Sequence, residues 1–414
     1  MHPPMDAPPP PPPILRNRDF LLFLTGRVAN AMAVQALTVA VGWHVYEVSH
    51  DPLDLGLIGL AQFAPALALF LVSGLASDRF DRRAIMVACN VVHVITVGLL
   101  MIILWHAPQA LWAILAVLVL HGGARSFFHT AGQAILPNLM PRAQFANAVA
   151  YSSSALKMAQ LVGPALGGAL IAWTDDGVYQ VILALFAISG AALAFIAARL
   201  KVQAREPFSL AMVLGGFTYI WADKVVLGAI SIDLLAVLFG GVMGLLPVFA
   251  SDILQVGPDG LGLMRAMPAV GSLLVGLALT QIASPRHMGP AFFVALAVFG
   301  LSIVVFSLSE TFWLSLLALG VYGGADMVSV YIRQTLVQIA TPDGMRGRVS
   351  AVNSVAINAS NELGDFRAGA MAGGIGTVPS VLVGGLATVA ITALWWRLFP
   401  SIRRVDRLDD LSGR

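Results

Sequence analysis

Long apolar runs limit what this chain can fold into more than any other feature of its sequence. A helix that spans a bilayer needs about 20 apolar residues, and twelve runs of suitable length follow one another along the chain. They cover residues 20–46, 53–77, 84–105, 110–136, 146–173, 178–200, 225–250, 258–283, 288–308, 311–338, 348–375 and 378–399. The runs are continuous and lack the alternation of membrane barrel strands. We therefore predict an all-α integral membrane protein with twelve transmembrane helices.

The low charge content excludes most other classes of protein. Charged residues make up 11% of the 414 residues, against about 25% in soluble domains, and so few cannot cover a soluble surface. A soluble enzyme, a secreted disulfide module and a disordered protein are therefore excluded. The net charge of +2 provides no concentrated basic face for nucleic acid. The single cysteine, Cys89, excludes an intramolecular disulfide.

The distribution of basic residues indicates how the chain crosses the membrane. Eighteen of the 24 Lys and Arg residues lie on the side of the predicted spans that holds both termini, and the six loops on the other side hold none. Cytoplasmic segments carry such an excess, so we expect a multi-pass protein, in the bacterial inner membrane, with both termini in the cytoplasm. The opposite loops carry acidic residues, namely Asp51, Asp175, Asp176, Asp252, Asp259 and Glu310.

The chain contains an internal repeat with an offset of 201 residues. Gly122-Gly123-Ala124 aligns with Gly323-Gly324-Ala325, and Gly168 aligns with Gly369. Because the offset matches spans of the same orientation, it predicts two parallel-repeat six-helix bundles with a substrate site between them. The predicted domains are a Pro-rich cytoplasmic tail (1–19), an N-terminal bundle (20–200), a linker with an interfacial helix (201–224), a C-terminal bundle (225–400) and a cytoplasmic tail (401–414). The Pro-rich tail is either a solvated extension or a docking segment.

A compact charged motif follows the second span. Its notable residues are Gly74, Asp78, Arg79, Asp81, Arg82 and Arg83. The segment resembles the G-x-x-x-D-R-x-G-R-R signature of the major facilitator superfamily, and Asp81 in place of Gly resembles the branch of the enterobactin exporter and related efflux permeases. The resemblance implies gating, with Gly74 packed closely against the other half, Asp78 capping or pairing there, and the arginines in a breakable cluster. The alternative is that the arginines only anchor the orientation.

Span five carries a second motif, Gly163-Pro164-Ala165-Leu166-Gly167-Gly168. It resembles the G-P-x-x-G-G element of exporters in the same superfamily. Its glycines remove side chains from a helix face so that a neighbour can approach closely, and Pro164 leaves one carbonyl without its helical donor. The alternative is ordinary tight packing without a directional meaning. With residues 125–142 and 341–348, the resemblance extends over about residues 20 to 400, and none of these motifs names a substrate.

Charged residues within spans are functional candidates, because the bilayer core tolerates them only beside a partner or water. On span four, His121 and His129 flank Arg125 at four-residue spacing, and the repeat places Asp326 at the Arg125 position. We expect Arg125 and Asp326 to pair, or to bind a substrate and a proton together. The alternative is that Arg125 snorkels to the interface. Lys157 lies deep in span five and is predicted to face the cavity.

Span eleven adds three further candidates, Glu362, Asp365 and Arg367. Glu362 and Asp365 are three residues apart and share a helix face, which we expect to line an aqueous path where one of them exchanges protons. The alternative is that Arg367 neutralises one or both carboxylates. We expect Arg333 to snorkel near the end of its span and Asp233, near the start of its own, to be solvated.

These patterns predict a secondary active transporter and not an enzyme. No nucleotide-binding loop, metal-ligand spacing or catalytic constellation occurs in the sequence, so no cofactor is expected. We predict proton-coupled export of small amphipathic molecules, of the drug or siderophore-like type, by alternating access. The partners implied are the substrate, protons and the lipid bilayer, without nucleic acid. The alternatives are a lipid or lysolipid flippase and, in another class, a non-transporting membrane sensor or scaffold.

Overall fold

The computed structural model describes residues 14–141, 144–174, 177–197, 210–281 and 287–406. Almost all of these residues are helical, and no strand occurs among them. The Pro-rich segment, the first part of the predicted linker and residues 407–414 lie outside the described residues, as do Arg142, Asp175 and Asp176. The tail and its docking alternative therefore remain predictions.

Sixteen α-helices are present in the described residues. In the first half they are α1 (Arg18–Ser49), α2 (Pro52–Ala68), α3 (Phe70–Arg79), α4 (Arg82–His106), α5 (Leu111–Leu139), α6 (Phe145–Thr174) and α7 (Gly177–Ala194). In the second half they are α8 (Leu210–Ala222), α9 (Lys224–Gly240), α10 (Leu246–Val248), α11 (Gly257–Thr280), α12 (Met288–Leu308), α13 (Phe312–Ala340), α14 (Asp343–Ile375), α15 (Thr377–Leu398) and α16 (Pro400–Arg403).

Short polar side chains determine where several of these helices begin. Asn17, Asp51, Asp81 and Asp223 each accept a hydrogen bond from a backbone N–H of the first turn of α1, α2, α4 and α9, respectively. Such caps satisfy N–H groups that have no partner within the helix. The apolar runs that these caps precede begin as helices close to the residues that the sequence predicts.

The predicted twelve-helix fold class is confirmed. Nine of the described helices, and the stretch Lys224–Ile253 that begins with α9, are long and apolar enough to cross a membrane, which gives ten spans, or eleven when α2 and α3 are counted as one bent span. The remaining long helix is α14, whose 33 residues include the polar positions of predicted span eleven. Exposed tryptophans at helix ends, Trp105, Trp112 and Trp313 among them, are typical of the membrane interface.

Three spans differ from their predicted ranges. Span two is broken at Leu69, where α2 and α3 meet at 54°, because Pro65 removes one backbone donor just before the break. Span six is helical only to Ala194 and not to residue 200. Span seven leaves α geometry after Gly240 and continues through a 3-10 turn and α10 into a π-helix over Phe249–Ile253.

The two bundles repeat each other in length and packing. Helices α5 and α13 are both 29 residues long, and both their first and their last residues are 201 positions apart, as the repeat predicts. In the first bundle α1 packs against α6 and α7, and in the second α9 packs against α14 and α15. The bundles meet where α2 packs against α14 and α6 packs against α11.

The hydrophobic core is arranged differently at the two ends of the molecule. We call the end where α1 begins and α15 ends the basic end, and the opposite end, which carries Asp51, Asp252, Asp259 and Glu310, the acidic end. Towards the acidic end a single apolar cluster takes side chains from both bundles, with Trp43 and Phe249 among them. Towards the basic end each bundle has a cluster of its own. The bundles are therefore packed together at the acidic end.

Glycines permit this close approach. A Cβ atom added to Gly168 of α6 would lie 2.6 Å from the Cα of Gly262 in α11. On the other side, a Cβ atom on Gly369 of α14 would lie 3.0 Å from the Cα of Gly56 in α2. The two crossings are equivalent under the repeat, and both lie near the acidic end. The backbones of the two bundles thus touch where a side chain would separate them.

Enlarging one of these glycines should weaken the closed acidic end. Gly369→Leu inserts a side chain against the backbone of α2, and overpacking of this kind costs about 1–3 kcal/mol. The matched control is Gly374→Leu in the same helix, where an added Cβ atom meets no heavy atom within 4 Å. Thermal unfolding in detergent should show a lower Tm for Gly369→Leu only. Equal Tm values for the two variants would contradict a tight crossing at Gly369.

Candidate functional site

The charged motif between α3 and α4 ties helix ends of the first bundle together. Asp81 caps α4 by accepting a hydrogen bond from the N–H of Arg83 at 2.9 Å. The buried Arg82 donates to the carbonyl of Ser77 at 3.0 Å and to that of Ala134 in α5 at 2.8 Å. Arginines that bind the last carbonyls of a helix also complement its dipole. The departure from Gly at position 81 thus supplies a helix cap.

Arg83 reaches a different helix of the same bundle. Its guanidinium donates to the carbonyl of Ile196 at 2.6 Å and to that of Ala194 at 2.5 Å, at the end of α7. Arg82 and Arg83 therefore hold α3, α4, α5 and α7 together at the basic end, in addition to any effect on orientation.

The close packing predicted for Gly74 is not present in this conformation. A Cβ atom at Gly74 would meet no heavy atom within 4 Å, so the residue does not pack closely against the other bundle. Gly74 follows the bend at Leu69 and lies in α3, which packs against α5 of its own bundle. Asp78 is half-buried and Arg79 is exposed beside this open space, and their gating role remains a prediction.

The G-P-x-x-G-G motif forms a joint between three helices. An added Cβ atom on Gly163 would lie 2.7 Å from the Cβ of Gln35, and one on Gly167 would lie 2.9 Å from the Cα of Ala36, both in α1. The third glycine of the motif, Gly168, faces α11, and the carbonyl of Pro164 lies beside Gly262 there. The predicted close packing is confirmed, whereas an export direction does not follow from it.

The three polar residues predicted to share a face of span four have different neighbours in the structure, although Arg125 lies within electrostatic range of both histidines. His121 is fully buried within the first bundle, where its ring lies 4.3 Å from that of His93 and also contacts Phe186. His129 is exposed and hydrogen-bonded to Gln133 at 2.8 Å. A step of four residues turns about 40° around a helix, so a stack of three spreads over different neighbours. His121 therefore lies away from the space between the bundles.

Four charged residues face each other across the gap between the bundles. Arg125 of α5 lies within electrostatic range of Glu362 of α14, and Lys157 of α6 lies within range of Asp326 of α13. A carboxylate oxygen of Glu362 lies 3.6 Å from the position of an added Cβ atom on Gly59 in α2, so Glu362 is directed at the first bundle. Among the described residues, neither basic group forms an ion pair across this gap.

Asp365 lies beside the break in span seven. Its carboxylate faces the backbone amides of Met243 and Gly244, which follow the end of α9. The guanidinium of Arg265 in α11 donates to the carbonyl of Met243 at 3.2 Å, while its Nε atom is buried without a hydrogen-bond partner. An arginine in the middle of an apolar span is a functional candidate from the sequence alone, and Arg265 is one of these.

Arg367 is occupied by backbone carbonyls. It donates to the carbonyl of Leu238 at 3.0 Å and to that of Phe239 at 2.7 Å, and its guanidinium lies over the Phe239 ring. These are the last carbonyls of α9, which have no donor within that helix. Arg367 thus fastens α14 to α9, while its charge still acts on Asp365.

The predictions for Asp233 and Arg333 are wrong. Asp233 is 3% exposed and Arg333 is 2% exposed, and their side chains form an ion pair at 3.1 Å. Arg333 also donates to the side-chain oxygen of Asn353 at 3.0 Å. Depth along a span does not show which neighbour a residue faces, and these residues face the interior of the second bundle. The network connects α9, α13 and α14.

One hydrogen bond joins the two bundles at the acidic end. The Tyr46 hydroxyl of α1 donates to the carboxylate of Asp252, in the π-helix, at 2.5 Å. The two residues are 206 positions apart, and no pattern in the sequence connects them.

The fold and the charged gap can now be compared with known proteins. A sequence profile described as Major Facilitator Superfamily matches residues 23–364. The chain belongs to this superfamily. It is a multi-pass membrane transporter and not an enzyme, as the sequence predicts.

The curated relatives of this major facilitator protein include exporters that it matches over more than nine-tenths of their length. It is 25% identical over 399 residues to the enterobactin exporter EntS of Citrobacter koseri, covering 93% of this chain and 92% of the relative. It is also 25% identical over 410 residues to the enterobactin exporter EntS of Salmonella choleraesuis, covering 95% of each chain. The resemblance to this branch is thereby confirmed.

Solved structures confirm the major facilitator fold. A bacterial homologue of the human lysosomal transporter Spinster, in an inward-facing and unoccupied conformation, superposes with a TM-score of 0.74 at 14% identity, over 95% of this chain and 99% of that one.

Neutralising Asp233 should destabilise the major facilitator fold. Asp233→Asn leaves the buried Arg333 without its counter-charge, at a cost of about 3–5 kcal/mol. Thermal unfolding in detergent should show a much lower Tm, and Arg333→Gln in the same chain should recover most of the loss. The control is Asp223→Asn, because asparagine caps α9 as well as aspartate does. A single Asp233→Asn variant as stable as the wild type would refute a structural role for the pair.

Removing the Tyr46 hydroxyl should open the acidic end. A hydrogen bond to a charged group is worth about 1.5–3 kcal/mol, so Tyr46→Phe should shift the closed-to-open ratio by about tenfold or more. Spin labels at Ser49→Cys and Glu310→Cys, in a Cys89→Ala chain, would report the separation of the bundles there. Tyr179→Phe is the matched control, since the Tyr179 hydroxyl bonds His44 of its own bundle. Unchanged label distances in Tyr46→Phe would show that the bond does not hold this end closed.

Proposed function

We propose that this transporter exports small amphipathic molecules, of the drug or siderophore-like type, from the cytoplasm of a bacterial cell in exchange for protons. The basic end faces the cytoplasm, in agreement with the excess of Lys and Arg there. Export is supported by the curated relatives, which are named exporters. The G-P-x-x-G-G sequence of α6 resembles that of exporters in the superfamily, and this resemblance, not the packing of the joint, agrees with export.

Alternating access is supported by the unequal packing of the two ends. At the acidic end the bundles share one apolar cluster, two glycine crossings and the Tyr46–Asp252 hydrogen bond. At the basic end the apolar clusters are separate, and space surrounds Gly74. We interpret this as a cytoplasm-open conformation. The opposite conformation would break the contacts at the acidic end and bring α3, with Asp78 and Arg79, against the second bundle.

Proton coupling is supported by two acidic residues that form no ion pair among the described residues. Glu362 and Asp326 lie within the membrane span and face the gap, and neither forms an ion pair with a described residue. Asp233, in contrast, is neutralised by Arg333. A carboxylate without a paired charge is costly in a membrane unless it takes up a proton or faces water. Taking up a proton from one side and releasing it to the other is the step that coupling requires.

Amide variants of these acids should separate coupling from binding. Glu362→Gln and Asp326→Asn mimic the protonated carboxyl group but cannot release a proton, so proton-driven transport should fall by about tenfold or more while downhill exchange persists. Asp365→Asn should show the same loss if Asp365 carries the proton instead. Glu362 is the first choice, because Asp365 is already held by backbone amides.

Transport would be measured in inverted membrane vesicles, with a dye selected from a panel for transport by the wild type, with and without a pH gradient. The matched control is Glu310→Gln, which removes an exposed acid at the acidic end and should leave transport unchanged. If all three variants of buried acids keep full gradient-dependent transport, the proposed coupling by these carboxylates is wrong.

A further inference from the structure

We propose that the gap between the bundles binds a zwitterionic molecule, with its anionic group against Arg125 and Lys157 and its cationic group against Glu362 and Asp326. This names the substrate class for the proposed function and rests on it. The inference follows from which charges of each bundle are already occupied and which remain available to a ligand.

The first bundle presents only basic groups to the middle of the gap. Its central charges in α1, α5 and α6 are Arg27, Arg125 and Lys157, and its acids lie at helix ends or in the turns between helices. Arg27 is engaged by the Ser152 hydroxyl at 2.9 Å and lies over the Phe23 ring. Arg125 is half-buried and Lys157 is exposed. The available charge of this wall is therefore positive.

The second bundle has four acids and three bases near its middle, and each of the three bases contacts a group of its own bundle. Arg333 is paired with Asp233 at 3.1 Å. Arg367 donates to two backbone carbonyls, and Arg265 donates to a third beside Asp365. Glu362 and Asp326 remain without an ion pair in the described residues. The available charge of this wall is therefore negative.

The charges of the two walls act on each other across the gap without forming ion pairs. Glu362 lies within electrostatic range of Arg125 of the opposite wall and of Arg265 of its own. Asp326 lies within range of Lys157 of the opposite wall and of Arg333 of its own. Among the described residues, none of these basic groups forms an ion pair with Glu362 or Asp326. Charges withdrawn from water need partners, and a ligand with one sign of charge would satisfy one wall and be repelled by the other. A zwitterion aligned across the gap supplies a partner to both. Its dipole also lies along the field between the walls.

In this arrangement, the proton and the cationic group of the ligand compete for the same carboxylates. A protonated Glu362 or Asp326 no longer attracts the cationic group of the ligand, so proton uptake and ligand binding exclude each other at that wall. Exchange of one for the other would follow from competition for the same carboxylates.

The test is binding of three dyes of related shape and different charge. Rhodamine B is a zwitterion at neutral pH, rhodamine B ethyl ester keeps only the positive charge, and fluorescein keeps only negative charge. Fluorescence polarisation with the full chain in lipid nanodiscs, without any gradient, gives a Kd for each. We expect rhodamine B to bind about tenfold more tightly than either of the others.

Two double variants should alter this preference in opposite ways. Arg125→Gln with Lys157→Gln should abolish the preference for rhodamine B over its ester. Glu362→Gln with Asp326→Asn should abolish the preference for rhodamine B over fluorescein. The control is Arg397→Gln, an exposed arginine at the end of α15, which should leave all three Kd values unchanged.

The inference is overturned if the wild type binds the ester or fluorescein as tightly as rhodamine B, if it binds none of the three, or if both double variants change the preference in the same way. Because no gradient is applied, this result is separate from the coupling experiment. A chain that shows the expected binding but no gradient-driven transport would support the ligand class and refute the proposed export.

Discussion

A charge in the middle of a bilayer has no water to solvate it, and this constraint organises the structure. Each charged residue within the spans has to find a partner, a carbonyl or an aqueous gap. Asp233 and Arg333 form an ion pair inside the second bundle, and Arg367 donates hydrogen bonds to the last carbonyls of α9. Arg125, Lys157, Glu362 and Asp326 are placed where the bundles face each other. In the proposed function, the charges that packing leaves without an ion pair are the ones that meet the ligand.

The length of an apolar run predicts a helix well, because the bilayer sets that length. Predicted span nine, residues 288–308, coincides with α12, and predicted span ten differs from α13 by one or two residues. The twelve helices were predictable for this reason, and the repeat was predictable from matching residues at a constant offset. The neighbours of a side chain were not, since a position along a span gives its depth but not its direction. Asp233, His121 and the Tyr46–Asp252 bond all depend on contacts between helices that are distant in the sequence.

The repeat preserves the glycine crossings between the bundles but not the residues that lie beside them. The crossing of Gly168 with Gly262 has its equivalent in the crossing of Gly369 with Gly56, since both bundles need the same close approach. Four residues before each of the repeated glycines, however, the first bundle has Pro164 and the second has Asp365. The backbone contact is thus shared, while the carboxylate that faces Met243 and Gly244 belongs to one half only. The glycine crossings are thus common to both bundles, whereas the charges that face the gap differ between them.

Arg82 and Arg83 have a mechanical consequence. They bind backbone carbonyls at the basic ends of α3, α5 and α7 from their own positions at the start of α4. These hydrogen bonds hold the four helix ends in fixed positions relative to one another. A load applied at any one helix of the first bundle, such as a ligand pulling on Arg125, is then shared by its neighbours. We therefore expect the basic ends of these four helices to move together when the first bundle changes its position.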